Sequence, residues 1–177
     1  MLLCECYGQD KPPFDPSRVA PEKRIGTATA TFSRHQNRAQ IAVQTDPIQL
    51  LGNTENGVIL VPNFIVEGRK LVSPASIELE FISYSYSKRF SVNRKFQIYG
   101  DDKLLSSGTL ELSSSGGSPN GAVTEILARK LPYTQFLKLF RGGSVKFVLG
   151  EMQAKIGQDQ IDALRDVERL IASSISF

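Results

Sequence analysis

The chain reads as a mainly β, α+β domain: an antiparallel β sandwich or curved sheet with a short helix and a C-terminal amphipathic helix. Three features predict this. Apolar residues recur at every second position over most of the chain, clusters of Gly, Asn and Asp punctuate those runs, and the apolar period turns helical only near the end. Strands followed by one or two helices suit two packed layers, with the last helix covering a sheet face or an open edge.

The alternation begins at Gly26. Threonines alternate with Ala28, Ala30 and Phe32, and the segment 39–44 alternates in the same way, so the two are expected to form a hairpin. The turn cluster Gly52–Gly57 leads into Val58–Val66, where Pro62 implies a break, an edge or a bulge. Ile77–Phe81, followed by Tyr84-Ser85-Tyr86, is the strongest strand signal, and Phe90–Tyr99 is its expected partner. Gly100-Asp101-Asp102 turns the chain into Lys103–Leu105 and Thr109–Leu112, after which Ser113–Gly121 reads as a flexible loop.

Val123–Leu131 reads as a further strand. Pro132 then sits where a short helix begins, with Tyr133, Phe136, Leu137 and Phe140 at helical spacing and Gly142-Gly143 as its stop. Ser144–Leu149 and Met152–Ile156 flank Gly150-Glu151 as a hairpin. In the final helix Ile161, Leu164, Val167, Leu170 and Ile171 form one apolar stripe. Asp162, Arg165, Asp166 and Arg169 are expected to face water, and Asp159 suits the positive end of the helix dipole.

With 177 residues, 41% of them hydrophobic and 22% charged, the chain is long enough to bury one proper core and too apolar to be disordered throughout. The balance of 21 basic against 18 acidic residues gives +3, a weaker excess than dedicated nucleic-acid proteins carry. No run approaches the roughly 20 apolar residues that span a bilayer as a helix. Residues 1–25, with Pro12, Pro13, Pro16 and Pro21, read as an N-terminal tail, and residues 26–177 as a single β-rich domain.

The tail opens apolar and small through Met1–Asp10 and then turns polar, which reads as the remnant of a signal peptide. The competing reading is a plain cytosolic arm. Cys4 and Cys6 lie in this segment, too close together for an ordinary disulfide and with no second Cys or His pair for a metal. Cleavage would leave a domain without cysteine.

The C-terminal third, Ser144-Val145-Lys146-Phe147-Val148-Leu149-Gly150, a second short strand and then Gln160–Asp166, resembles the ending of uncharacterised bacterial secreted proteins. In those, a strand–Gly–strand hairpin leads into a helix with a similar Ala-Leu-Arg step. The likeness covers residues 123–171. It implies a bacterial, extracytoplasmic home (periplasmic or secreted) and no particular activity or functional residue.

Catalytic constellations are scarce. His35 is the only histidine and sits between Arg34 and Arg38, a setting that disfavours a basic imidazole. No nucleophile elbow, P-loop or dinucleotide fingerprint occurs, and Gly116-Gly117 lack the lysine and strand–helix context for phosphate cradling. Glu78 and Glu80 share a strand face about 7 Å apart, a spacing compatible with acid–base work and equally with a solvated outer face. Asp101-Asp102 offers too few oxygens for calcium and reads as a turn. No cofactor or metal is implied.

The most suggestive surface segment is Tyr84-Ser85-Tyr86-Ser87-Lys88-Arg89-Phe90-Ser91-Val92-Asn93-Arg94-Lys95. Tyr84 and Tyr86 beside Lys88, Arg89, Arg94 and Lys95 make a basic-aromatic hairpin of the kind that stacks and neutralises a polyanion. The competing reading is a hairpin whose tyrosines pack on a second layer while its cations keep an edge soluble. The leading expectation is a non-catalytic extracytoplasmic binding or structural module, with a protein or cell-envelope component as partner. Polyanion binding (nucleic acid or acidic glycan) through the hairpin is the first alternative, and a carboxylate-dependent hydrolase using Glu78 and Glu80 the second. A cytoplasmic location is the alternative address.

Overall fold

The computed structural model describes residues 22–33, 38–43, 48–49, 57–117, 119, 121–173 and 176. His35, Cys4, Cys6 and residues 52–56 of the turn cluster lie outside them. Among the described residues, twelve strands and two helices make an antiparallel β sandwich with helical cover, the mainly β class that the alternation predicts. The larger sheet runs in the order β1 (Glu22–Ile25), β2 (Ala28–Ser33), β3 (Arg38–Val43), β5 (Gly57–Glu67), β6 (Ser76–Ser85), β10 (Val123–Pro132), β9 (Glu111–Gly117), with β4 (Ile48–Gln49) also on β5. The smaller sheet runs β12 (Met152–Ile156), β11 (Val145–Leu149), β7 (Lys95–Gly100), β8 (Lys103–Thr109). Helix α1 is Tyr133–Lys138 and α2 is Gln158–Ala172.

Register explains why one face of the larger sheet is continuous. Leu60 pairs with Phe81 and Phe81 with Leu127, so residues at alternate positions of β5, β6 and β10 point inward together. Val58, Leu60, Phe64, Ile77, Leu79, Phe81, Leu127 and Leu131 are all buried. The smaller sheet answers with Phe96, Ile98, Val145, Phe147, Leu149, Ala154 and Ile156. Phe81 meets Phe147 edge-on at 5.3 Å and Phe96 at 5.7 Å, the aromatic joint between the two layers. The smaller sheet covers only part of that face. Over β1, β2 and β3 the cover is α2, whose predicted stripe Ile161, Leu164, Val167, Leu170 and Ile171 is buried together with Ala28, Ala30 and Phe32.

Several expectations are corrected. Residues 22–25, assigned to the tail, form β1 and pair with 28–31 of β2. Pro62 does not break β5, which runs unbroken and inside the sheet. Among the described residues, β3 pairs with β5 up to Asn63 and β4 at Gly57 and Val58, and no described partner needs a donor from Pro62 on that side. Ser113–Gly117 belong to strand β9, because an edge strand needs backbone pairing with β10 and no side-chain burial. Arg165 and Asp166 do more than face water. Arg165 donates to the Phe140 carbonyl at 3.0 Å, and Asp166, 13% exposed, accepts from the Thr27 amide at 3.0 Å, docking the β1–β2 turn on the helix.

The largest correction concerns β6 and β7. They are not a hairpin: β6 pairs with β5 and β10, and β7 with β8 and β11. The segment 86–94 carries the chain from one sheet to the other. Phe81 and Phe96 therefore face each other across the interior instead of sharing a ladder.

The β7–β8 and β11–β12 turns are among those built on left-handed backbone. Asp101 and Asp102, at φ 47° and 61°, form the β7–β8 turn as expected, and the Asp101 carboxylate accepts from the Gly143 and Ser144 amides at 2.9 and 3.0 Å. At the β11–β12 turn Gly150 has φ 62°, donates to the Lys95 carbonyl at 2.7 Å, and leaves only 2.8 Å between a Cβ position and the Asn93 carbonyl oxygen. Gly68, at φ 81°, has open space around it. Gly68→Ala should cost about 1 kcal/mol and Gly150→Ala at least about twice that, because the second adds a backbone collision to the strained φ. Urea midpoints of the two variants check this, and equal losses would mean that the close approach is energetically idle.

Candidate functional site

The segment 86–94 is fixed from several sides. Glu125 occupies an inward position of β10, where alternation otherwise places Leu127 and Leu131, and among the described residues it is the one charged side chain that is fully buried. Its carboxylate accepts from the Arg89 amide at 2.8 Å and the Phe90 amide at 3.1 Å. Two bonds of this kind, each worth about 1.5–3 kcal/mol, offset the several kcal/mol of desolvating the group. Phe90 is buried beside them. Further along, the Arg94 carbonyl accepts from Leu110 at 2.8 Å, the Lys95 carbonyl accepts from Gly150, and the Lys95 amide donates to Asn93 Oδ1 at 3.2 Å.

What this framework presents is a loop with exposed side chains. Tyr84 is 48% exposed, Tyr86 78% and Val92 92%. Neither tyrosine packs on a second layer. Lys88 and Lys95 are exposed, while Arg89 is half-buried with Nη1 at 3.5 Å from Met152 Sδ. A cleft of about 410 Å³ lies between the loop and the β11–β12 turn, lined by Arg89, Phe90, Val92, Asn93, Leu149 and Met152 among others.

The six predicted binding residues are not one platform. Ser83 and Ser85 are buried, so Tyr84 projects from the outer face of the larger sheet; Phe96 is buried, so Lys95 projects from the outer face of the smaller one. These faces look in opposite directions across a sandwich roughly 10 Å thick. Arg89 and Phe90 lie on the crossing between them. The predicted basic-aromatic hairpin is thus a sheet-to-sheet crossing with its aromatic and C-terminal basic ends apart.

Glu78 and Glu80 do share the outer face of β6. Across the ladders Glu80 lies opposite Val61 and Ala128, and Glu78 opposite Asn63 and Lys130. The Glu80 carboxyl is held above its ordinary range of 4.5, first by desolvation and then by the charge of Glu78, with an Asn63 hydrogen bond pulling the other way. Neither glutamate lines the cleft beside the crossing. Glu125 and Val92 were missed by sequence reasoning; with apolar residues on both faces of Val123–Leu131, the sequence does not show that position 125 is inward.

No protein-family model, curated protein or solved structure significantly matches this chain.

Two outcomes follow from these side chains. Glu125→Ala leaves two amides without an acceptor and should cost about 2–5 kcal/mol, with accelerated hydrogen exchange at Arg89 and Phe90. Unchanged exchange there would show that the loop is held by other contacts. A raised carboxyl makes the folded state bind the proton more tightly, so the Glu80 contribution to stability is fully present below pH 4.5 and is lost as pH rises through the folded-state value. Glu80→Gln should flatten that fall and leave stability below pH 4.5 unchanged, measured by denaturant titration across pH.

Proposed function

We propose that this protein is a non-catalytic extracytoplasmic binding module whose recognition element is the 86–94 crossing together with Tyr84, and whose partner is a protein of the cell envelope. The observation that carries this reading is the combination of a base fixed by Glu125 with exposed Tyr86 and Val92. A pre-ordered loop loses little entropy on binding, and aromatic side chains on it are the usual energetic anchors of protein interfaces. The buried carboxylate is engaged in holding the loop. The extracytoplasmic address is supported by the composition of the first ten residues and by the resemblance of residues 123–171 to secreted proteins.

Polyanion binding is the second reading, favoured by the exposure of both tyrosines beside Lys88. It would use the Tyr84–Lys88 end, because Lys95 leaves on the far side. The two readings differ in salt dependence.

A photo-crosslinking residue in place of Tyr86, used in the native host, should trap one envelope protein. The purified pair should then bind roughly tenfold more weakly, or worse, when Tyr86→Ser and Val92→Ser are combined. Unchanged affinity in that variant rejects the loop as the recognition element. Binding to single-stranded oligonucleotide or acidic glycan that falls steeply with salt and ignores Val92→Ser would favour the polyanion reading instead.

A further inference from the structure

The opposite, open side of the sandwich holds a second cleft, unrelated to the crossing. Strands β8 and β9 follow one another in the chain but lie at edges of different sheets, with Leu110 passing between them. Because β9 meets β10 only from Glu111 opposite Ala128 onward, residues 129–132 have no strand on that side among the described residues. A cleft of about 440 Å³ opens between that stretch and β8. Its polar lining is Ser106, Ser107, Arg129, Lys130 and Gln135, beside Leu105 and Leu131. Arg129, Lys130, Ser106 and Ser107 are among its lining residues, and no acidic residue is.

Arg129 is the unusual member. It occupies an inward position of β10 next to Leu131 and Leu127, yet no carboxylate among the described residues pairs with it. Its Nη1 donates to the Thr109 carbonyl at 3.3 Å, and its Nε is buried without an acceptor. The guanidinium lies against Gly108, where a Cβ would stand 2.7 Å from Nη2 and 2.9 Å from Cζ, so only glycine leaves it this place. A partly desolvated cation with one long backbone bond is under-compensated. Because its charge is delocalised, an anion meeting any edge of the group compensates all of it.

We propose that this cleft binds a small oxyanion, the phosphate or carboxylate group of a polar small molecule, with Arg129 as the principal charge and Ser106, on the same inner side of its strand, as a further donor. Its size falls in the ordinary range for small-ligand sites, about 300–1,000 Å³. The probes are inorganic phosphate and citrate, titrated at constant ionic strength with sodium chloride as reference, and followed by the backbone amide resonances of Ser106, Ser107 and Gly108. Saturable shifts with at least one probe and none with chloride are expected. Phosphate alone assigns a phosphate-bearing ligand, citrate alone a carboxylate.

Arg129→Gln should weaken binding at least tenfold. Gly108→Ala should also weaken it, because it displaces the guanidinium while keeping the charge. The full amide spectrum reports whether each variant is folded, and Arg129→Lys, retaining part of the affinity, serves if Arg129→Gln is not. Absence of saturable shifts with both probes overturns the proposal, as does wild-type affinity in folded Arg129→Gln.

Discussion

Glu125 stands at the point on which the sandwich depends. Two sheets share a core only if the chain leaves one and enters the other, and such a crossing exposes backbone amides to an apolar interior. Here the Arg89 and Phe90 amides meet that problem, and one carboxylate placed from β10 answers both. With them satisfied, Phe90 can be buried, β7 starts in register for the smaller sheet, and Phe96 reaches Phe81. The aromatic joint between the layers is downstream of a polar contact.

Much of the fold was legible because it rests on periodicity. The stripe from Ile161 to Ile171 identified α2, and the alternation in Ile77–Phe81 identified β6. Gly150 marked a hairpin, and Asp101-Asp102 a turn. Partner choice was not legible. Phe90–Tyr99 follows β6 after a few residues, which suggests a hairpin by proximity alone; deciding otherwise requires knowing that Leu127 and Leu60 flank Phe81 in the sheet. Ser113–Gly117 looked like a loop because its side chains have nothing to bury, and the backbone ladder that makes it a strand leaves no trace in composition.

The sites divide in the same way. Tyr84, Tyr86 and Lys88 are on the surface, as their chemistry suggested, but the crossing separates them from Lys95. Arg129 and Glu125 escaped notice because both faces of β10 carry apolar residues: Ile126 and Ala128 on one, Leu127 and Leu131 on the other. A strand with that pattern does not announce which side is inward, so a charged residue at an inward position is invisible until the register is known.

The contact between Thr27 and Asp166 spans 139 residues. During synthesis at roughly 5–20 residues per second, β2 therefore emerges about 7–28 s before the helix that covers it. For that interval Ala28, Ala30 and Phe32 lack their native lid, and the first strands of a nascent chain cannot complete their packing however quickly they pair. The nascent protein passes through a stage in which the apolar face of β2 is open, and the later arrival of α2 is what closes it.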